Sequence, residues 1–211
     1  MMKKLLLWCV PVVMLFMAGC SSSRLTTSWV SKDLQANGQH FNKVLVLGML
    51  SAKNRAVKVN MENELASGLI NMGIQAVTAT DVYGPNAFRH KSENQVLRML
   101  KKDGIDGVIT IAMIDKNASR RFVPGYYGVG PYYFWSYYSF YAPYMWGAPY
   151  GGYYERTTSY SFETNLYDLQ QKNKMLYSAQ SETIDPSSAE KMSYDFAKTI
   201  LKDMQAKRIL R

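Results

Sequence analysis

The stretch from Lys43 to Met49, KVLVLGM, is the feature that most constrains the fold. It is a nearly continuous apolar run, and such runs are strands buried on both faces of a sheet. Just beyond it the period changes. Val57, Met61, Leu65 and Leu69 recur every four residues and predict a helix with one apolar stripe, with Lys58, Glu62 and Asn63 pointing away. Gly73 follows the last apolar residue as a helix-stopping glycine. A short strand is expected over 75–78. Ser92 and Gln95 have the spacing of a capping box that opens a second helix, which buries Val96, Leu97, Met99 and Leu100 and ends at Gly104. Residues 107–114, GVITIAMI, are a third apolar strand.

The C-terminal third resumes the pattern. Tyr160, Phe162, Thr164 and Leu166 alternate with Ser159, Ser161, Glu163 and Asn165, and Met175, Tyr177 and Ala179 alternate after a turn at 171–173. These segments predict a hairpin. Asp185 and Pro186 read as the N-cap and first residue of a last helix, with Ala189, Met192, Phe196, Ile200 and Met204 on its buried face. The order β-α-β-α-β, insertion, hairpin, α predicts one α/β (α+β) domain over 42–211. It is expected to hold a single mixed sheet of about five strands with helices mainly on one face.

The insertion spans 122–155. Its core, residues 124–154, contains eleven of the chain's 16 tyrosines, two Trp, two Phe, six Gly, four Pro and no charged residue. A charge-free segment of this length inside a domain is commonly functional. Tyr132, Tyr133, Trp135, Tyr137, Tyr138, Tyr141, Tyr144 and Trp146 are the candidate contact residues. Tyr and Trp provide large, stiff, amphipathic area, and Gly and Ser add adaptability. Four uses fit this composition: covering the open sheet face, binding a protein partner, docking at a lipid interface, and stacking on the sugars of a glycan such as peptidoglycan. Ten residues without Gly or Pro, 132–141, are too few to span a membrane as a helix. Arg120 and Arg121, just ahead of the tract, are a weak candidate anion site; as strand-end charges they need no ligand.

Residues 1–20, MMKKLLLWCVPVVMLFMAGC, combine Lys3 and Lys4 with a 14-residue apolar run from Leu5 to Ala18. The run is short for a transmembrane helix and contains Pro11. Its end, Met17-Ala18-Gly19-Cys20, resembles the lipobox of bacterial lipoproteins. The resemblance implies cleavage after residue 19 and a triacylated Cys20. Ser21 at the following position implies sorting to the outer membrane, facing the periplasm. Residues 1–19 are then a signal peptide, and the polar stretch 20–41 is expected to be a lipidated tether. KVLVLGML, RAVKVNMENELASGLINMG, GVITIAMI and NLYDLQQKNKMLYSAQSETIDPSSAEK resemble the small α/β domains of envelope lipoproteins, and the topology is similar to the TolB N-terminal and curli-secretion lipoprotein type.

Chemistry is expected to be absent. The two cysteines are Cys9, which leaves with the signal peptide, and Cys20, and the two histidines are His40 and His90. No G-x-S-x-G, P-loop or H-E-x-x-H is present, and no cofactor or metal site is expected. Asp81, Asp103, Asp106, Asp115 and Asp168 are expected to be solvated acids. The net charge of +9, of which Lys3 and Lys4 carry two, suits anionic headgroups or cell wall, or serves solubility alone; nucleic acid, scarce in that compartment, is a poor partner. The sequence thus predicts a non-catalytic, lipid-anchored factor for envelope assembly or maintenance that binds a partner through its Tyr-rich loop. A cell-wall or glycan-binding accessory is the alternative.

Overall fold

A computed structural model describes residues 22–32, 40–86, 88, 91–123, 153–171 and 174–209. Its strands are β1 (Ser23–Val30), β2 (Val44–Met49), β3 (Ala76–Thr78), β4 (Gly107–Val123), β5 (Tyr153–Asp168) and β6 (Lys174–Ile184). Its α-helices are α1 (Arg55–Asn71), α2 (Ala79–Tyr83), α3 (Glu93–Lys102) and α4 (Ala189–Ala206). The chain divides into two compact units: residues 1–115 with 160–211, and Lys116–Ser159. The described part of the second unit is the far end of β4 and the beginning of β5.

All six strands belong to one mixed sheet in the order β1-β6-β5-β4-β2-β3. β2 lies parallel to β3 and to β4, with Val44 opposite both Ala76 and Gly107. β1 runs antiparallel to β6, with Ser23 opposite Thr183 and Val30 opposite Tyr177. β1 is a correction to the sequence reading. Residues 23–30, assigned to a tether for their polarity, are an edge strand. Only its end residues, Ser23 and Val30, are buried, and its register shifts between Leu25 and Thr27. A strand with one ladder partner and little buried surface leaves no apolar alternation in the sequence.

Alternation along β2 sorts the core into two clusters on opposite faces. Val44 and Val46 join Ile109, Ile111, Phe162 and Leu166 beneath Met61, Leu65 and Leu69 of α1 and Phe196, Ile200 and Met204 of α4. Leu45 points the other way and packs with Ala79, Leu100, Ile105 and Val108. The two long helices therefore share one face, and the shorter α2 and α3 serve the other. α1 and α4 approach closely at Gly68, where an added Cβ would overlap Leu201 Cδ1.

The helix ends follow the sequence in three places and depart from it in a fourth. Ser92 Oγ accepts from the Gln95 N–H and Gln95 Oε1 accepts from the Ser92 N–H, so the predicted capping box opens α3. Gly73 and Gly104 sit past the ends of α1 and α3 at φ of 84° and 72°, values that L side chains rarely adopt. α4, however, does not start at Asp185-Pro186. Asp185 lies at φ 44°, and Ser188 caps the helix by accepting from the Lys191 N–H at 3.1 Å.

Candidate functional site

The Tyr-rich segment is inserted between β4 and β5, which are neighbours in the sheet. β4 continues beyond the predicted end at Ile114 to Val123, and β5 begins at Tyr153. The candidate contact residues Tyr132, Tyr133, Trp135, Tyr137, Tyr138, Tyr141, Tyr144 and Trp146 lie outside the described residues, as does Cys20. Arg120 is an exposed residue of β4 in the second unit. Arg121 continues the strand, but its side chain lies outside the described part.

In parallel α/β sheets, ligands commonly bind beyond the carboxyl ends of the strands, where the chain departs to either side. Here β2 lies between β3 and β4, and its carboxyl end carries a buried acid. The sequence reading turned Glu62 outward with Lys58 and Asn63. Instead its side chain has no solvent exposure. One oxygen, Oε1, accepts from the Gly48 N–H at 2.8 Å, and Oε2 accepts from the Thr80 N–H at 3.0 Å, at the start of α2. Lys58 Nζ lies 3.8 Å from Oε1 and supplies the counter-charge. Both carboxylate oxygens are engaged, so the group braces β2, α1 and α2 together. The four-residue period hid this because Glu62 directly follows Met61 and widens the buried stripe.

Two aspartates expected to be solvated are also buried. Asp106 accepts from the Asn42 N–H at 2.9 Å, Asn42 Nδ2 at 2.7 Å, the Lys43 N–H at 3.1 Å and Gln170 Nε2 at 3.2 Å. Asp168 accepts from the Gln170 N–H at 2.7 Å and the Gln171 N–H at 3.3 Å. Both acids organise the loops at the amino end of β4 and the carboxyl end of β5, Asp106 through both of its oxygens and Asp168 through Oδ1. Leu97, Lys101, Ile105 and Gln170 line an open cavity of about 520 Å³ beside Asp106. Among the described residues, no group of three or more His, Cys, Asp or Glu is placed to hold a metal ion. No described helix is long and apolar enough to cross a membrane.

A further buried acid, Asp195 of α4, holds the first described residue. Its Oδ2 accepts from both the N–H and the hydroxyl of Ser22, each at 3.0 Å, and its Oδ1 pairs with Lys191. Burial alone would raise the Asp195 pKa. The hydrogen bonds from Lys191 and Ser22 and the Lys191 charge outweigh it and hold the carboxyl below its ordinary 3.8. A depressed folded value means that the ion stabilises the fold above pH 3.8, and that this contribution is lost as pH falls through the lower folded value. Thermal unfolding of the wild type and Asp195→Asn across this range is expected to show a wild-type advantage near neutrality that shrinks steadily in acid. At the far edge of the same helix, Tyr177 donates to Asp203 Oδ2 at 2.9 Å, and Lys207 pairs with Asp203 at 3.1 Å. Burial, followed by the hydrogen bond to Asp203, pushes the Tyr177 hydroxyl well above its usual range, so it stays protonated.

The chain matches no protein-family model and no curated protein. Among solved structures it is similar to the PelC dodecamer from Paraburkholderia phytofirmans, at 12% identity and a TM-score of 0.43, over 90% of this chain and 97% of that one. It is also similar to the lipoprotein GNA1162 from Neisseria meningitidis, at 14% identity and a TM-score of 0.42, over 78% of this chain and 98% of that one.

Proposed function

We propose that this chain is an outer-membrane lipoprotein, anchored through acylated Cys20, that serves envelope assembly or maintenance without catalysis by presenting its Tyr-rich segment to a partner in the periplasm. The observation that carries the reading is a pairing within one sequence. The Met17–Cys20 motif addresses the chain to the membrane, and 31 charge-free residues rich in Tyr and Trp interrupt an otherwise ordinary α/β domain. Stable anchoring needs more than one acyl chain, which a triacylated cysteine would provide. The buried carboxylates Glu62, Asp106, Asp168 and Asp195 are engaged by backbone amides and neighbouring side chains, which supports a scaffold role for the domain.

Affinity capture from solubilised envelopes tests the partner. The bait is used intact and with residues 124–152 replaced by a short Gly/Ser linker, both versions being checked for folding by circular dichroism. The expected result is a defined protein retained only by the intact bait. Equal capture by both baits defeats the protein-binding reading. If the intact protein instead sediments with purified sacculi, and Trp135→Ala or Trp146→Ala abolishes this, the segment reads glycan.

A further inference from the structure

We infer that the face of α4 carrying Lys191, Tyr194, Lys198 and Lys202 lies against the anionic headgroups of the membrane in which Cys20 is anchored. The inference rests on the lipoprotein reading of Cys20 and adds the orientation of the domain. Its starting point is the absence of slack. Ser22 is held by two hydrogen bonds to buried Asp195, and Ser23 already pairs with Thr183 in the sheet. Cys20 is two residues upstream, so its Cα lies within about 7 Å of Ser22 at full extension. Acyl chains fixed at that cysteine bring the bilayer surface to the start of β1 and to the part of α4 that holds it.

The surface at that place has the chemistry of a headgroup contact. Positions 191, 194, 198 and 202 recur at helical spacing on one stripe of α4, next to Asp195 and away from the stripe of Met192, Phe196, Ile200 and Met204 that enters the core. Tyr194 is 50% exposed, with Lys191 Nζ 5.6 Å and Lys198 Nζ 6.0 Å from its ring centre. A tyrosine flanked by lysines is suited to the membrane interface, where the ring sits at headgroup level and the ammonium groups meet phosphate. Lys198 and Lys202 have no carboxylate partner among the described residues. They line, with Ser23, Arg24 and Leu25, an open cleft of about 420 Å³ beside the point where the chain enters the sheet. The acids nearby are engaged or stand on a neighbouring element. Glu182 pairs with Arg24 at 2.7 Å, and Asp203, which also lines the cleft, pairs with Lys207 at 3.1 Å and with Tyr177. Glu190, one turn before Tyr194, is engaged with Ser188 and Asn60, while Glu64 of α1 lines the groove on the other side of Tyr194, Lys198 and Lys202.

The test anchors the protein independently of cellular lipidation. The chain from Cys20 onward, which includes every described residue and a single thiol, is coupled through Cys20 to maleimide-bearing lipid in vesicles of phosphatidylcholine with phosphatidylglycerol. Lysine acetylation rates are then read by mass spectrometry. Expected is a several-fold slowing at Lys191, Lys198 and Lys202 relative to the uncoupled protein, with Lys101 and Lys102 of α3 unchanged. The double variant K198E/K202E, coupled in the same way, is expected to lose the protection at Lys191. Equal rates at all lysines, or uniform slowing of all, overturns the orientation. Labelled palmitate supplied to cells tests the premise separately: its absence from Cys20 overturns both readings, whereas palmitate on Cys20 with no protection of α4 overturns the orientation alone.

Discussion

Phe196→Ala is expected to destabilise the domain by about 3–5 kcal/mol, the range for truncating a fully buried aromatic ring. Phe196 has no solvent exposure, and its ring meets that of Phe162 edge-on, with centroids 5.4 Å apart and planes at 62°. Phe162 belongs to β5 and Phe196 to α4, so this one contact joins the C-terminal helix to the middle of the sheet. Truncation removes the apolar transfer term, the ring–ring term and the packing around them, and leaves a cavity between two rigid elements that cannot collapse into it. The check is urea unfolding of the chain without residues 1–20, followed by circular dichroism. The midpoint should fall with an unchanged slope, since the surface exposed on unfolding is nearly the same. Phe196→Leu should cost less than half as much, because most of the volume is retained.

Glu62→Ala is the second large effect, at about 2–4 kcal/mol. Two amides, Gly48 N–H and Thr80 N–H, lose their acceptor, and a buried donor left unpaired costs roughly 1–3 kcal/mol. Thr80, being less enclosed, belongs at the lower end. Lys58 is partly exposed and can turn to water, which limits the electrostatic part of the loss. Glu62→Gln distinguishes a brace from mere space filling. Its amide oxygen can serve one of the two N–H groups, but its NH₂ faces the other, so an intermediate loss is expected. If Glu62→Ala unfolds at the wild-type urea midpoint, the carboxylate is not bracing the carboxyl end of β2.

Much of this architecture was legible because it is apolar and periodic. β2 and the first half of β4 are runs buried on both faces, and α1 and α4 carry stripes of one residue per turn. What escaped is held by polar groups whose partners are distant in sequence. β1 has few buried side chains and is specified by β6, some 150 residues away. Glu62 looked like a surface residue because its acceptors are satisfied by backbone amides, and no side-chain pattern reports a backbone amide. Asp106 and Asp168 read as solvated acids for the same reason, since backbone amides are among their partners. The start of α4 is not where the sequence places it because Asp185-Pro186 has the residue types of a cap, whereas Ser188 makes the hydrogen bond. The aromatic segment was conspicuous by composition, while the strands that frame it exceed their apolar parts: from Ile114 to Arg120, β4 is exposed.

The entry of the chain through an edge strand also has a mechanical meaning. Tension applied ahead of Ser22 would fall first on the two hydrogen bonds to Asp195 and then on the rungs between β1 and β6, loaded in sequence from Ser23–Thr183 towards Val30–Tyr177. Such loading opens a ladder one rung at a time, so the molecule has a built-in weakest seam at the start of β1. Under stretch the first element to yield would be β1, which gives only Val30 and the partly buried Leu25 to the cluster around Phe162 and Phe196. Peeling would free the span of one strand, roughly 25 Å at about 3.3 Å per residue, before the rest of the domain felt the load.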